Sequence, residues 1–227
     1  MARALRLDDD ERQHLFDLVT ITQRRPAPKK SSNRTTVRPG IQKVLDSIDT
    51  PALVQNARLD RLAFNRIGRA LHSLPADGSR DQYNYAKWLF LDPRAPRFHR
   101  DVDIAKHDVV ALLRAATAHD PYDRKLIEIV GTLTTQSEEF SALWASHDVL
   151  RHRSGTKLLT HPDVGDLEFG YESFELSTDT GLVMLVFTVE PHSPTGEAMQ
   201  LLASWTASTS HGEDEATGIE AGEQSRA

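Results

Sequence analysis

The chain has 227 residues, with 27 Lys and Arg, 33 Asp and Glu, ten His, no Cys and a formal net charge of −6. At 39% apolar and 26% charged it has a soluble globular composition. The lack of cysteine excludes disulfides, thiolate nucleophiles and Cys-based zinc sites, and fits a reducing cytoplasm. No stretch reaches the ~18 apolar residues of a membrane helix, and the first residues turn acidic too soon for a signal peptide.

Charge is distributed in three regimes. From residue 208 onward five acids face Arg226 alone, a local net of −4, which leaves −2 for residues 1–207. Thr22 to Lys43 holds seven bases and no acid.

Taken in chain order, residues 1–21 read as a short helix. Asp8, Asp9, Asp10 and Glu11 crowd its first turn, where the helix dipole favours negative charge. Leu15, Phe16, Leu18 and Val19 make an apolar face with nothing local to cover it. Residues 22–36 form a basic linker rich in Pro, Ser and Thr. Its bases could meet nucleic-acid phosphates, although a linker kept soluble by charge is the plainer reading.

A folded body follows over 37–207. Pro39 suits the first helical position, with Ile41, Val44, Leu45 and Ile48 at helical spacing. Ala52 to Gln55 and Leu59 to Phe64 are short strands across a turn, and Asn65 to Leu71 a short helix. Tyr83 to Leu91 (YNYAKWLFL) is aromatic-rich and stops at Asp92-Pro93. On the helix over 101–118, Val102, Ala105, Val109, Leu112, Leu113 and Ala116 share a face. A second stripe is Tyr122, Leu126, Ile129, Val130 and Leu133. Ser137 caps a third helix carrying Phe140, Leu143, Trp144 and His147.

The period then changes. Leu167, Phe169 and Tyr171 alternate with polar residues, and Phe174 and Leu176 alternate in the opposite phase, which predicts a β-bulge near Ser173. Leu182 to Val189 is apolar on both faces, as a central strand covered on both sides, or by a partner, would be. Ser193-Pro194 opens a last helix bearing Ala198, Leu201, Leu202 and Trp205. The acidic tail over 208–227 has almost no apolar residues and is expected to be disordered. Strands at both ends with helices between them indicate an α+β fold.

Chemistry-bearing motifs are sparse. His-Asp pairs occur at 107–108, 119–120 and 147–148, yet His107 faces away from its helix's apolar stripe and His119 sits at a helix end. Neither a nucleophile elbow nor a phosphate-binding Gly loop is present. No catalytic residue, metal or cofactor is expected. His147 lies on an apolar stripe, so it is either a hydrogen-bonded core residue or the polar wall of an apolar pocket.

Several phrases together resemble one family. Val37-Arg-Pro-Gly-Ile-Gln-Lys-Val-Leu-Asp, Leu59-Asp-Arg-Leu-Ala-Phe-Asn65 and Lys87-Trp-Leu-Phe-Leu-Asp-Pro93 carry the likeness. So do Ser137 to Trp144, His161-Pro-Asp-Val-Gly-Asp-Leu167 and the ending Ser193-Pro to Trp205. In this order they resemble the ligand-binding domain of MmyB-like transcription regulators. The likeness departs at Phe64 and Phe187, where that family often carries Trp and Tyr.

The resemblance implies a PAS-like antiparallel sheet with covering helices that enclose a pocket for a small, mainly apolar, fatty-acid-like molecule. Residues 1–21 would be the remnant of an Xre-type helix-turn-helix domain, so DNA is reached only through a domain largely missing from this chain. Trp88, Leu91, Trp144, His147, Tyr171 and Phe187 are the expected ligand contacts. A homodimer built on the 182–189 strand and the 194–205 helix is the alternative.

Overall fold

The computed structural model describes residues 35–75, 82–146 and 154–205. The expected helix at 1–21, the linker as far as residue 34, His147 and the acidic tail lie outside them. Pro39 opens α1 (Pro39–Asp46), as its fixed φ and missing N–H allow. Then come β1 (Ala52–Asn56), β2 (Asp60–Phe64) and α2 (Arg66–Leu71). The aromatic phrase splits into β3 (Tyr83–Asn84) and α3 (Tyr85–Leu91), because the Asn84 side chain accepts from the Lys87 N–H and caps the helix.

Four helices follow: α4 (Ala95–Phe98), α5 (Val102–His119), α6 (Arg124–Gln136) and α7 (Glu138–Ala145). Ser137 caps α7 as expected, accepting from the Phe140 N–H at 3.1 Å. Tyr122 is exposed and precedes α6 rather than starting its stripe. On α5 the buried residues are Ala105, Lys106, Val109, Val110, Ala111 and Leu113, while Leu112 turns outward. Last come β4 (Ser154–His161), β5 (Gly165–Glu175), β6 (Leu182–Thr188) and α8, over residues 194–205.

The six strands form one antiparallel sheet in the order β3-β2-β1-β6-β5-β4. The doubly apolar β6 is central, between β1 and β5, and both its faces are covered by the chain itself. On the outer face, Leu182 and Met184 join Ala52, Val54 and Leu45 of α1. On the inner face, Phe187 joins Leu53, Phe64, Phe169 and Tyr171, covered by Ile67 and Leu71 of α2 and by Ala198, Met199 and Leu202 of α8. A third cluster joins α3, α5, α6 and α7 around Leu89, Val109, Leu133 and Phe140.

The bulge lies elsewhere than the alternation predicts. β5 pairs with β6 in unbroken register from Gly170↔Thr188 to Glu175↔Val183, so nothing slips at Ser173. Phe174 simply stands on the outer face, largely exposed, and Leu176 packs with the outer-face cluster. The register shift is between Val54 and Gln55 of β1, where β2 carries the extra residue. Leu62 and Ala63 both join the outer-face cluster, and Arg61 is turned to the inner side. Re-aiming one side chain is a common consequence of a bulge, and here it carries a charge into the interior.

Candidate functional site

Where the inner sheet face meets the helical cluster, a polar group is enclosed by aromatic rings. Tyr83 belongs to the seam, packing against both the helical and the inner-face clusters. Arg61 is 5% exposed. Its Nη1 donates to the Tyr83 hydroxyl at 2.9 Å and lies 2.9 Å from His72 Nε2. The guanidinium also sits over the Tyr85 ring, 3.9 Å from the centroid. Arg61 Nε has no hydrogen-bond partner. The cation–π contact offsets about 2 kcal/mol, against several kcal/mol for removing an ion from water.

Next to it, the Tyr85 hydroxyl is 2.9 Å from His99 Nε2. Trp88 closes the group, its ring meeting those of Tyr83, Tyr85, Phe98 and His99. The 99–100 segment is fixed to the sheet edge by a bridge between His99 and Leu159 and by the Arg100 N–H donating to the Leu158 carbonyl at 3.0 Å. On β4, Lys157 shares the inner face with Leu159, opposite Phe169, and lies 4.6 Å from the centroid of Tyr171. Its counter-ion is Asp108 of α5, at 3.9 Å. This contact ties the long helix to the edge strand.

The electrostatics follow from burial among cations. Burial first, then the Lys157 and Arg61 charges, hold the His99 pKa down at about 3. His72, packed against Phe64 and Phe98, is held well below the usual histidine range by burial and then by Arg61. Burial raises Tyr83 and Tyr85 and, with the Asp108 and Glu172 charges, pushes Tyr171 up to about 12. Lys157 is lowered by burial, with Asp108 opposing. At neutral pH the interior therefore holds neutral imidazoles and phenols around cations.

The histidines make stability depend on pH in one direction. Between pH 3 and about 6.5 the unfolded chain binds a proton that folded His99 refuses, so stability is full above 6.5 and falls below it. His99 alone is expected to cost about 1 kcal/mol between pH 7 and 5.5, with His72 acting in the same sense. Urea denaturation at both pH values checks this: His99→Gln should lose that share of the drop, and an unchanged drop would refute the assignment.

Of the expected contacts, Trp88 belongs to this cluster, and Tyr171 and Phe187 face each other across β5 and β6 on the inner side. Trp144 instead stacks on Phe140 in the helical cluster, with Arg114 5.4 Å from its ring centroid. Leu91 is exposed at the end of α3, and His147 lies outside the described residues. Arg61, His72, His99 and Lys157 were not singled out by sequence pattern, and Asp108 only as the neighbour of His107. Their one signal is a charge or imidazole inside an otherwise apolar stretch, and surface residues give the same signal. His107 is exposed, with Nδ1 2.8 Å from the Asp103 carbonyl, as its helical angle requires. Among the described residues no three His, Asp or Glu side chains gather to hold a metal, and no helix is long and apolar enough to cross a membrane.

A five-strand order β2-β1-β6-β5-β4, extended by β3 and backed by helices around a buried polar and aromatic centre, defines a PAS-like α+β domain. The chain belongs to the MmyB-like transcription regulator ligand binding domain family, which matches residues 37–202. No curated protein matches it.

Proposed function

We propose that this domain is the sensor of a transcription regulator, without enzymatic activity, acting in the cytoplasm. It takes a small, mainly apolar, fatty-acid-like molecule between the inner sheet face and helices α3 to α5. The observation that carries this reading is the seam itself. Aromatic rings from α3, α4 and β3 surround buried polar atoms there, as in a site that fixes a ligand's orientation with few polar groups. Trp88, Tyr171 and Phe187 are the proposed apolar contacts; for Leu91, Trp144 and His147 the proposal rests on the sequence resemblance alone. The ligand acts insofar as it binds one conformation of the regulator better than another. DNA is reached through a helix-turn-helix domain, of which residues 1–21 are the proposed remnant.

Native mass spectrometry of the purified chain, with organic extraction, tests this directly. A co-purifying apolar molecule is expected, and restoring it at 100 times its Kd should stabilise the fold by about 2.7 kcal/mol, a rise of roughly 5–10 °C in Tm. A chain that carries nothing and is unmoved by a fatty-acid and metabolite panel would refute the sensor reading. The exposed Leu201 and Trp205 on α8 favour a second reading, a dimerisation module. Sedimentation at micromolar concentration decides it: a monomer rules that reading out.

A further inference from the structure

We propose that the basic segment preceding α1 docks on the outer face of β5, with its Arg and Lys side chains against Glu168 and Glu172 and their alkyl stems over Phe174. The inference concerns the side of the sheet opposite the seam and does not depend on the sensor reading.

The outer face is covered on one half only. α1 lies over β1, β2 and β6, through a cluster of Leu45, Ala52, Val54, Leu62 and Met184. On β5, alternation from the inward Leu167, Phe169 and Tyr171 puts Glu168, Gly170, Glu172 and Phe174 on the outer side. Phe174 is 53% exposed, and both glutamates are exposed. Leu158 and Thr156 of β4, opposite Glu168 and Gly170, continue the surface without a charge. Asp166, at its far end, accepts from the Thr160 hydroxyl at 2.8 Å and lies 3.6 Å from Arg100. Glu168 and Glu172 belong to no ion pair among the described residues. An exposed ring between carboxylates suits cations carried on long alkyl stems.

The entry of the chain selects the occupant. Arg38, the residue before α1, donates from Nε to Asp179 Oδ2 at 2.9 Å, and Asp179 is buried in the turn between β5 and β6. Val37 and Leu176 both pack on the outer-face cluster. α1 then leaves for β2, where Gln42 Nε2 donates to the Phe64 carbonyl at 3.2 Å. The residues before Arg38 therefore start at the end of β5 that Phe174 occupies, on the face that α1 leaves open. Arg24, Arg25, Lys29, Lys30 and Arg34 stand there in sequence, with no acid from Thr22 to Lys43.

Reach and charge agree. Ten extended residues, from Val37 back to Ala27, span at most about 33–36 Å, whereas Phe174 and Glu168 are about 20 Å apart along the strand. One exposed ion pair is weak and screened by salt, so several must act together along the strand. A second copy related by a two-fold axis would instead set these glutamates against their own counterparts.

The test uses the full chain and exploits its lack of cysteine. A nitroxide is attached at Ala27→Cys, and the broadening of backbone amides is read by 15N NMR in dilute buffer and in about 0.5 M NaCl. At low salt the Glu168, Gly170 and Glu172 amides should lose at least half their intensity. They should recover in high salt and in the double variant Glu168→Gln, Glu172→Gln. The salt comparison stands by itself if that variant fails to fold. Broadening that is absent at low salt, or that is the same in both salts or in the folded double variant, overturns the proposal. So does the same broadening in a mixture of spin-labelled chain without 15N and 15N chain without the nitroxide, which would assign the face to a second copy.

Discussion

Replacing Asn65 with Ala should cost about 4 kcal/mol of stability, more than truncating most core side chains to one smaller methyl group. The side chain is 1% exposed and uses both ends. Its Oδ1 accepts from the Ala52 N–H at 3.0 Å and the Gly68 N–H at 2.8 Å, so one oxygen ties β1 and caps α2. Its Nδ2 donates to the carbonyls of Ile48 at 2.9 Å and Thr50 at 2.7 Å, which fixes the turn leading into β1. Alanine leaves two N–H groups and two carbonyls without these partners, each worth about 1–3 kcal/mol when buried, with some relief from water. Asn65→Asp discriminates the halves. It keeps the accepting end, but loses the donor and sets a negative charge against two carbonyls, so it should lose at least as much as Ala. Urea midpoints of the three proteins measure this; a loss below about 1 kcal/mol in Ala would show that the junction is not held this way. Gly68 is part of the same device. A Cβ there would meet the Ala52 carbonyl oxygen at 2.7 Å and Asn65 Oδ1 at 2.9 Å.

Arg58→Ala is expected to cost about 3–5 kcal/mol, the range found when one partner of a buried ion pair is removed. Arg58 is 2% exposed in the turn between β1 and β2. Its Nε donates to Asp60 Oδ2 at 3.2 Å, and its Nη1 lies 3.5 Å from Asp123 Oδ1. Asp123 is also the N-cap of α6, accepting from the Lys125 and Leu126 N–H groups. One arginine therefore connects the first hairpin of the sheet to the helical cluster. The turn itself needs support, because Leu59 adopts φ 64°, a left-handed conformation costly for a branched residue. Asn56 supplies part of that support, its Oδ1 accepting from the Arg58 and Asp60 N–H groups. Because both changes break one pair, Arg58→Ala and Asp123→Ala combined should cost clearly less than their sum. Strict additivity in a double-mutant cycle would mean that the pair contributes nothing.

Much of the fold was legible because its elements announce themselves locally. Pro39, Asn65 and Ser137 mark helix starts by chemistry that involves only the next three or four residues. The doubly apolar 182–188 strand is central for the reason its pattern gives, since both faces are covered. By contrast, β4 has no clear pattern of its own beyond the turn at His161 to Gly165 that follows it: its inner-facing positions include Gly155 and Lys157, and its role is set by pairing with β5. The opposite phase of Phe174 looked like a bulge because a period of two records which side is buried. It does not record that one strand can pass from a covered inner face to a half-covered outer one.

The candidate site divides along the same line. Trp88, Tyr171 and Phe187 lie in apolar patterns, which do not distinguish them from Trp144, packed against Phe140 within the helical cluster. Arg61 could not be found that way. Its inward direction depends on a register shift opposite Val54 and Gln55, a property of two strands together.

By itself, the sequence of this protein carried its family in the order of its phrases, and determined its α+β class and the places where helices begin. The class and the helix starts follow from composition, capping and short-range periodicity, which a chain carries wherever its other parts go. Only the tertiary structure decided that buried Arg61 and half-buried Lys157 share the inner side of the sheet, with Asp108 beside Lys157, and that Arg61 Nε is left without an acceptor. Burial and pairing are relations between residues far apart in the chain. No local pattern distinguishes a charge bound for solvent from one that a bulge turns inward.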